Sequence, residues 1–277
     1  MNPALSPTTL WLDLLVDFFI LLGVASVYFS ACWIIARRLN NYSIVDVAWS
    51  YGFSLVSGYF IALHVWHQHL AEPALMLAGV TLLWSLRLGT HLALRVFGHL
   101  DREDGRYQKM RATWGERTAF KMWQFYLLQA LALALLCLPL LSSAPFQSQE
   151  SLHVWHWIGF GLVIGAMLLE HLADAELNAF KKDPAQRGKV CERGLWRWSR
   201  HPNYFAEWLI WIGFFLLSYN SVYHGLPGLC CAGLMYYFLT QVTGIPLTEA
   251  QLLTSKGDAY RDYQARVSAF WPRPPRT

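Results

Sequence analysis

The sequence is short of charge. Asp, Glu, Lys and Arg make up 14% of its 277 residues, against roughly a quarter in an ordinary soluble domain. So little polar surface cannot cover a globule, which excludes a soluble single domain; disorder, coiled coil and collagen fall with it. Cysteine is sparse as well. Its five copies, Cys32, Cys137, Cys191, Cys230 and Cys231, have no metal-type spacing, and the adjacent last pair is not a Cys-x-x-Cys motif, so no disulfide framework follows. No Lys or Arg precedes Arg37, so the start lacks the basic region of a cleaved signal peptide and the first apolar segment is expected to be a retained span. Long-period repeats and low-complexity linkers are missing, which assigns residues 1–277 to one integral membrane domain. The soluble dinucleotide fingerprint is missing too: Gly159-Phe160-Gly161 lacks the third glycine at the required spacing.

What is present is apolar and aromatic. Hydrophobic residues make up 55% of the chain, about 152, with 14 Trp. One membrane crossing needs about 20 apolar residues, so the supply covers roughly seven. Hydropathy places them near residues 13–36, 44–66, 73–94, 122–142, 153–175, 204–219 and 225–244. The expected fold is therefore all-α and polytopic, with about seven transmembrane helices. Of the 22 Lys and Arg, 20 fall in four segments, those following the first, third, fifth and seventh spans. With seven spans all four lie on one side, which the positive-inside rule makes cytoplasmic. The N-terminus is then outside and the C-terminus inside.

Ionisable groups within spans are costly and usually face a bundle interior or an aqueous cavity. Here they gather in the cytoplasmic half. Asp46 opens the second span, and Arg87, His91 and Arg95 share one face of the third at four-residue spacing. Glu170 and Asp174 repeat that spacing in the fifth, Glu207 lies one turn into the sixth, and Glu249 follows the seventh. Snorkelling to the interface and binding of lipid headgroups account for Lys109, Arg111 and the last arginines. Both signs of charge at one depth on five spans point instead to a polar cavity open to the cytoplasm. Asp13 and Asp17 read as solvated acids at a helix start, and His64, His67 and His69 as surface histidines; no metal site is expected. Gly161 and Gly165 form a Gly-x-x-x-Gly pair expected to bring two helices close.

Residues 170–207 carry the densest chemistry. A basic loop containing Gly188 and Gly194 leads to Pro202, where the sixth helix should start. Proline at the first helical position leaves Asn203, Tyr204 and Phe205 with unpaired backbone N–H groups. With Arg197, Arg200 and His201 beside it, that terminus suits a phosphate. Asn203 can offer an amide to a carboxamide, ribose or base, and Trp196 and Trp198 can anchor the loop at the interface or stack on a ring.

Arg200-His201-Pro202-Asn203-Tyr204, preceded by Gly194-Leu195-Trp196, resembles the cofactor-binding signature of the membrane steroid 5-alpha-reductase superfamily, and most closely its bacterial branch. The similarity extends through Ser43-Ile44-Val45-Asp46-Val47-Ala48-Trp49, Arg87-Leu88-Gly89, Gly244-Ile245-Pro246-Leu247 and Ser268-Ala269-Phe270, and so covers most of the chain. Isoprenylcysteine carboxyl methyltransferases carry a close variant of the first element alone. The resemblance implies seven helices around NADPH bound from the cytosolic side, within roughly residues 87–277, and a lipidic substrate entering from the membrane. By position, Asn203 and Glu207 match polar residues that contact the cofactor. Asp174 and Lys181 match an acidic and basic pair that grips it, and Arg95 matches a basic residue leading into the cytoplasmic loop. Tyr260, Tyr263 and Glu249 fall in the C-terminal element that closes over it. The Gln-Glu pair used by eukaryotic steroid reductases in the second span is absent, and Asp46 is the nearest acid.

The expected activity is NADPH-dependent reduction of an activated C=C bond in a steroid-like or other lipidic enone. Hydride goes to the carbon beta to a carbonyl, and the developing enolate oxygen needs a proton donor. Asp46, Tyr204 and Tyr51 are the candidates. Arg87, Arg95, Lys181, Arg197 and Arg200 are expected to bind phosphates, with Asn203 and Asp174 fixing the ribose or nicotinamide. Two readings compete: a methyltransferase using S-adenosylmethionine, which has no phosphate and a positive sulfonium, and a non-enzymatic lipid-binding protein. Nucleic acid is not an expected partner, because topology already explains the basic loops. The expected location is a multi-pass membrane protein, in the inner membrane if bacterial, with its site facing the cytoplasm.

Overall fold

The computed structural model of the chain describes residues 7–67, 71–143, 151–219 and 222–276, and every regular element among them is helical. The chain divides into two compact units, Met1–Leu152 with Asn220–Pro227, and His153–Tyr219 with Gly228–Thr277.

The first unit holds α1 (Pro7–Arg38), α2 (Ile44–His67), α3 (Glu72–Phe97), α4 (Gly105–Trp114), α5 (Thr118–Leu136) and α6 (Leu138–Ser143). The turn between α1 and α2 is made by two asparagines. Asn40 takes a left-handed φ of 54°, a conformation that asparagine tolerates better than most side chains. Asn41 is buried; its Oδ1 accepts from the Ser43 amide at 2.9 Å. Small residues then let α2 and α3 meet. Ser54 and Ser85 hydroxyls lie 2.6 Å apart, and a Cβ on Gly89 would sit 2.8 Å from Cε1 of Tyr51. Trp84 and Phe53 fill the seam in an edge-to-face pair with centroids 5.2 Å apart. On α1, by contrast, Leu12, Val16, Phe19, Val24 and Val27 are exposed, the pattern of a helix whose outer face meets lipid.

The second unit holds α7 (Val154–Lys182), α8 (Pro202–Ser218), α10 (Ile245–Lys256) and α11 (Asp258–Arg266), with α9 (Val222–Tyr237) entering it after its internal Pro227. A π-helical turn at Phe238–Val242 separates α9 from α10. Helices α7 and α8 are antiparallel. Asn203 meets Asp174 near one end; toward the other, Gly213 meets Gly159 and Trp155 Nε1 donates to the Tyr219 carbonyl at 2.7 Å. The glycines that permit this approach are not the expected pair. A Cβ on Gly159 would meet the Gly213 carbonyl oxygen at 2.9 Å, and one on Gly213 would meet Val163 Cγ2 at 2.5 Å. Gly161 and Gly165 face open space; they lie on the face of α7 turned away from α8, so the Gly-x-x-x-Gly spacing marked the right helix and the wrong side.

Six stretches among the described residues are long and apolar enough to cross a membrane: Trp11–Arg38, Ile44–Trp66, Glu72–Phe97, Gly105–Ser143, Val154–Lys182 and Gly225–Lys256. The chain is thus an all-helical polytopic membrane protein. The expected sixth span corresponds to α8, which has 17 residues and is too short to count by length. It runs beside α7 from Asp174 back to Trp155.

Candidate functional site

In the first unit, the segment after α3 folds back on the α1–α2 turn. Asn41 Nδ2 donates to the Leu100 carbonyl at 3.1 Å, and Glu103 Oε1 accepts from the Tyr42 amide at 2.7 Å. Asp46 lies at the centre of this contact. Its Oδ1 accepts from the buried Tyr107 hydroxyl at 2.7 Å, and its Oδ2 accepts from Arg106 Nη2 at 2.7 Å. Arg95 stands farther off, 3.6 Å from Asp46 and 3.9 Å from Asp104. Asp104 is half-buried, which by itself would raise its proton affinity, but hydrogen bonds from the Arg106 side chain and amide outweigh that and hold it below the ordinary aspartate value. Both Asp46 oxygens thus accept a hydrogen bond, one from a guanidinium and one from a buried hydroxyl. The other candidates on these helices have separate surroundings. Tyr51 shares a hydrogen bond with Thr90 at 3.1 Å. Arg87 is half-buried and His91 exposed on α3.

In the second unit, the loop between α7 and α8 is shaped by Gly194. Its φ is +56°, a left-handed conformation that glycine adopts without steric cost, and the Glu176 carboxylate packs against it. Glu176 Oε2 in turn accepts from the Leu195 amide at 2.8 Å. Trp196 packs in a small core with Phe180 and Cys191 and donates to the Ala173 carbonyl at 2.9 Å. The chain then passes through Arg200 and His201 into α8, with Pro202 at the first turn as expected. Asn203 Nδ2 donates to Asp174 Oδ1 at 3.2 Å, both half-buried. Lys181 and Arg197 are exposed, and no carboxylate partner is seen for either among the described residues. Glu170 is buried on α7, while Glu207 Oε1 accepts from Trp211 Nε1 at 3.0 Å.

Arg200 and His201 face inward. Arg200 Nε donates to Glu249 Oε1 at 2.7 Å, the two side chains being 10% and 13% exposed. Its Nη1 donates to the carbonyls of Gln264 at 3.0 Å and Val267 at 2.5 Å. His201, 2% exposed, contacts the same Glu249 oxygen at 3.2 Å. Burial pushes its proton affinity below the ordinary histidine value, Glu249 opposes that shift, and Arg200 adds to it. The remaining Glu249 oxygen accepts from Gln264 Nε2 at 2.7 Å, and the Tyr260 hydroxyl lies 3.4 Å from Oε1. Tyr263 donates to the Trp196 carbonyl. The Tyr204 ring stacks on His201 at 5.1 Å, and its hydroxyl pairs with Thr248 at 3.0 Å.

Several partners in these networks escaped the sequence reading. Tyr107, Asp104 and Gln264 sit on short polar helices or their caps, where the hydropathy argument for a buried polar group does not apply. Arg106 was attributed to topology alone. The Asp104-Gly105-Arg106-Tyr107 run did carry one usable signal, an acid capping a helix start, and its side chain does accept from the Arg106 amide at 2.9 Å. Among the described residues no group of three or more His, Cys, Asp or Glu side chains is placed to hold a metal ion. Of the outer-loop histidines, His69 and the side chain of His67 lie outside the described residues.

Fold and site together define a polytopic helical membrane protein with buried ion-pair networks at helix ends. A family model described as a protein of unknown function, DUF1295, matches residues 32–267, and the chain belongs to that family. It is also similar to an uncharacterized protein of Schizosaccharomyces pombe, 27% identical over 263 residues that cover 87% of this chain and 75% of the relative. No solved structure matches.

Proposed function

We propose that the chain is an NADPH-dependent membrane reductase of the steroid 5-alpha-reductase type, which saturates an activated C=C bond in a lipidic enone. The observation that carries this reading is the start of α8. A half-buried amide and carboxylate, Asn203 and Asp174, meet there at 3.2 Å, close in sequence to the exposed cations Lys181 and Arg197. Such a donor set fits a nucleotide that is both phosphorylated and rich in hydroxyl and amide edges. S-adenosylmethionine has no phosphate to engage the cations. Lys181 and Arg197 would hold phosphate; Asn203 and Asp174 would orient the ribose or the nicotinamide amide. The helix terminus adds backbone N–H groups with the favourable end of the dipole.

When bound, NADPH supplies a hydride to the substrate carbon beta to the carbonyl. The protein must then deliver a proton and stabilise charge on the carbonyl oxygen. Of the three candidates, Asp46 serves as a hydrogen-bond acceptor on both oxygens. That leaves the hydroxyls of Tyr51 and Tyr204 as the remaining candidates, and Tyr204 is the one carried by α8 next to Asn203. On the same reading α8 counts as a crossing, giving seven, with the N-terminus outside, the C-terminus cytoplasmic and the cofactor entering from the cytoplasm. In a bacterium the membrane is the inner one.

The test is titration of purified protein in detergent with NADPH, NADH and S-adenosylmethionine. Wild type is expected to bind NADPH, and Asn203→Ala or Lys181→Ala to weaken it about tenfold or more, roughly the worth of one charge-assisted hydrogen bond. Preference for S-adenosylmethionine would reject the reductase, and binding of none would favour a lipid-binding role.

A further inference from the structure

The cofactor reading treats Arg200, His201 and Glu249 as groups that touch the nucleotide, yet their hydrogen bonds run the other way. We propose that Glu249 is a positioning residue: acting through Arg200 and His201, it fastens the start of α8, and so the Asn203–Asp174 pair, to the C-terminal helices and tail. This rests on the reductase reading for what the pair binds, but the fastening itself stands on geometry.

Three observations carry it. First, the ionic core is closed. Glu249 Oε1 serves Arg200 and His201, Oε2 serves Gln264, and Arg200 Nη1 serves two backbone carbonyls of α11 and its end, Gln264 and Val267. Second, the tail beyond α11 is sewn to the same loop by its backbone. The Arg200 amide donates to Ser268 at 2.8 Å, the Ser199 hydroxyl to Phe270 at 2.9 Å, and the Arg273 amide to Trp198 at 3.0 Å. Third, the network ends next to the site. His201 is the residue before α8 and Asn203 is two further on, while Tyr204 both stacks on His201 and bonds Thr248 of α10. None of the Glu249 bonds reaches Asp174 or Asn203, so its influence on a ligand held there passes through the Ser199–Asn203 backbone. A buried pair with one partner removed leaves the other charge uncompensated, whereas replacing both by apolar groups of similar size is far better tolerated. That contrast separates fastening from general stability.

The experiment compares wild type, Glu249→Gln and the double variant Arg200→Met/Glu249→Met in detergent, by hydrogen exchange, thermal unfolding and NADPH titration. The proposal expects faster exchange at residues 199–206 and 267–273 in both variants, with exchange in the first half of α7 unchanged. It expects NADPH affinity to fall about tenfold or more. In the double variant the midpoint of unfolding should stay near that of wild type while the affinity remains low. If exchange at residues 199–206 is unaltered in the double variant, the fastening is wrong whatever the cofactor. Faster exchange with unchanged NADPH affinity overturns the coupling to the site. Wild type that binds no NADPH overturns the cofactor reading and this use of the fastening, while the exchange pattern still decides whether the fastening exists.

Discussion

At the scale of single residues, the same carboxylate chemistry is used in two ways. Asp46 gathers Tyr107 and Arg106 around a turn, and Glu249 gathers a guanidinium, an imidazole and an amide in a nearly dry setting. The sequence singled out both acids, because an ionisable group flanking a hydrophobic run is visible in the text of the chain; Asp46 lies in the first turn of α2 as expected, whereas Glu249 lies in the second turn of a separate helix, α10. Their partners were not visible, since Tyr107 lies 61 positions from Asp46 and Arg200 lies 49 from Glu249. His201 gives this scale its prediction. Burial keeps the ring neutral in the fold, its proton affinity lying below the ordinary histidine value of 6.5. The unfolded chain therefore binds the extra proton first. The contribution of His201 to stability is whole above that value and is lost as pH falls below it. Glu249, Arg200, Tyr260 and the stacked Tyr204 are charged or titratable groups around this cluster. Thermal unfolding followed from about pH 7.5 down to about 5.5 should show a falling midpoint in wild type and a shallower fall in His201→Gln. Equal slopes would remove His201 from the account. Asp104 acts in the same sense only at lower pH, around and below the ordinary aspartate value of 3.8.

At the scale of elements, helices were legible because an apolar run of sufficient length in a membrane has few alternatives to a helix. Their contact faces were less so. Glycine spacing alone does not say which side of a helix meets a neighbour, and α7 shows the consequence: Gly159 touches α8, whereas Gly161 and Gly165 do not. The geometry makes a sharp contrast between positions. Gly213→Val pushes a branched side chain into Val163 and the Gly159 backbone, and overpacking of this kind costs about 1–3 kcal/mol. Gly161→Val adds atoms where nothing lies within 4 Å. Thermal unfolding in detergent should therefore fall clearly for the first and hardly move for the second. The reverse order would mean that α7 meets α8 on its other face. The α7–α8 loop was read from Gly188 and Gly194, and Gly194 does need its left-handed φ of +56°; the Glu176 carboxylate packed against it could be seen only in three dimensions.

At the scale of the whole chain, charge placement is the clearest link between sequence and fold. The basic segments that follow α1 and α3 come together within the first unit, where Arg111 Nη2 donates to the Asn40 carbonyl at 3.1 Å. Those that follow α7 and α9 come together within the second, where Arg266 pairs with Glu192 at 2.8 Å. The span count was less legible, because α8, at 17 residues, is shorter than the six stretches long enough to cross, and counting it as a crossing belongs to the proposed reading. The substrate stays unread at this scale, since an apolar ligand leaves no charged signature in a chain that is already apolar. The most direct measurement is a structure determined with NADPH present. The account predicts the nucleotide at the start of α8, with phosphate within hydrogen-bond reach of Lys181 or Arg197 and the Asn203–Asp174 pair against its ribose or carboxamide. Nucleotide bound elsewhere, or this position filled by a group without phosphate, would contradict it.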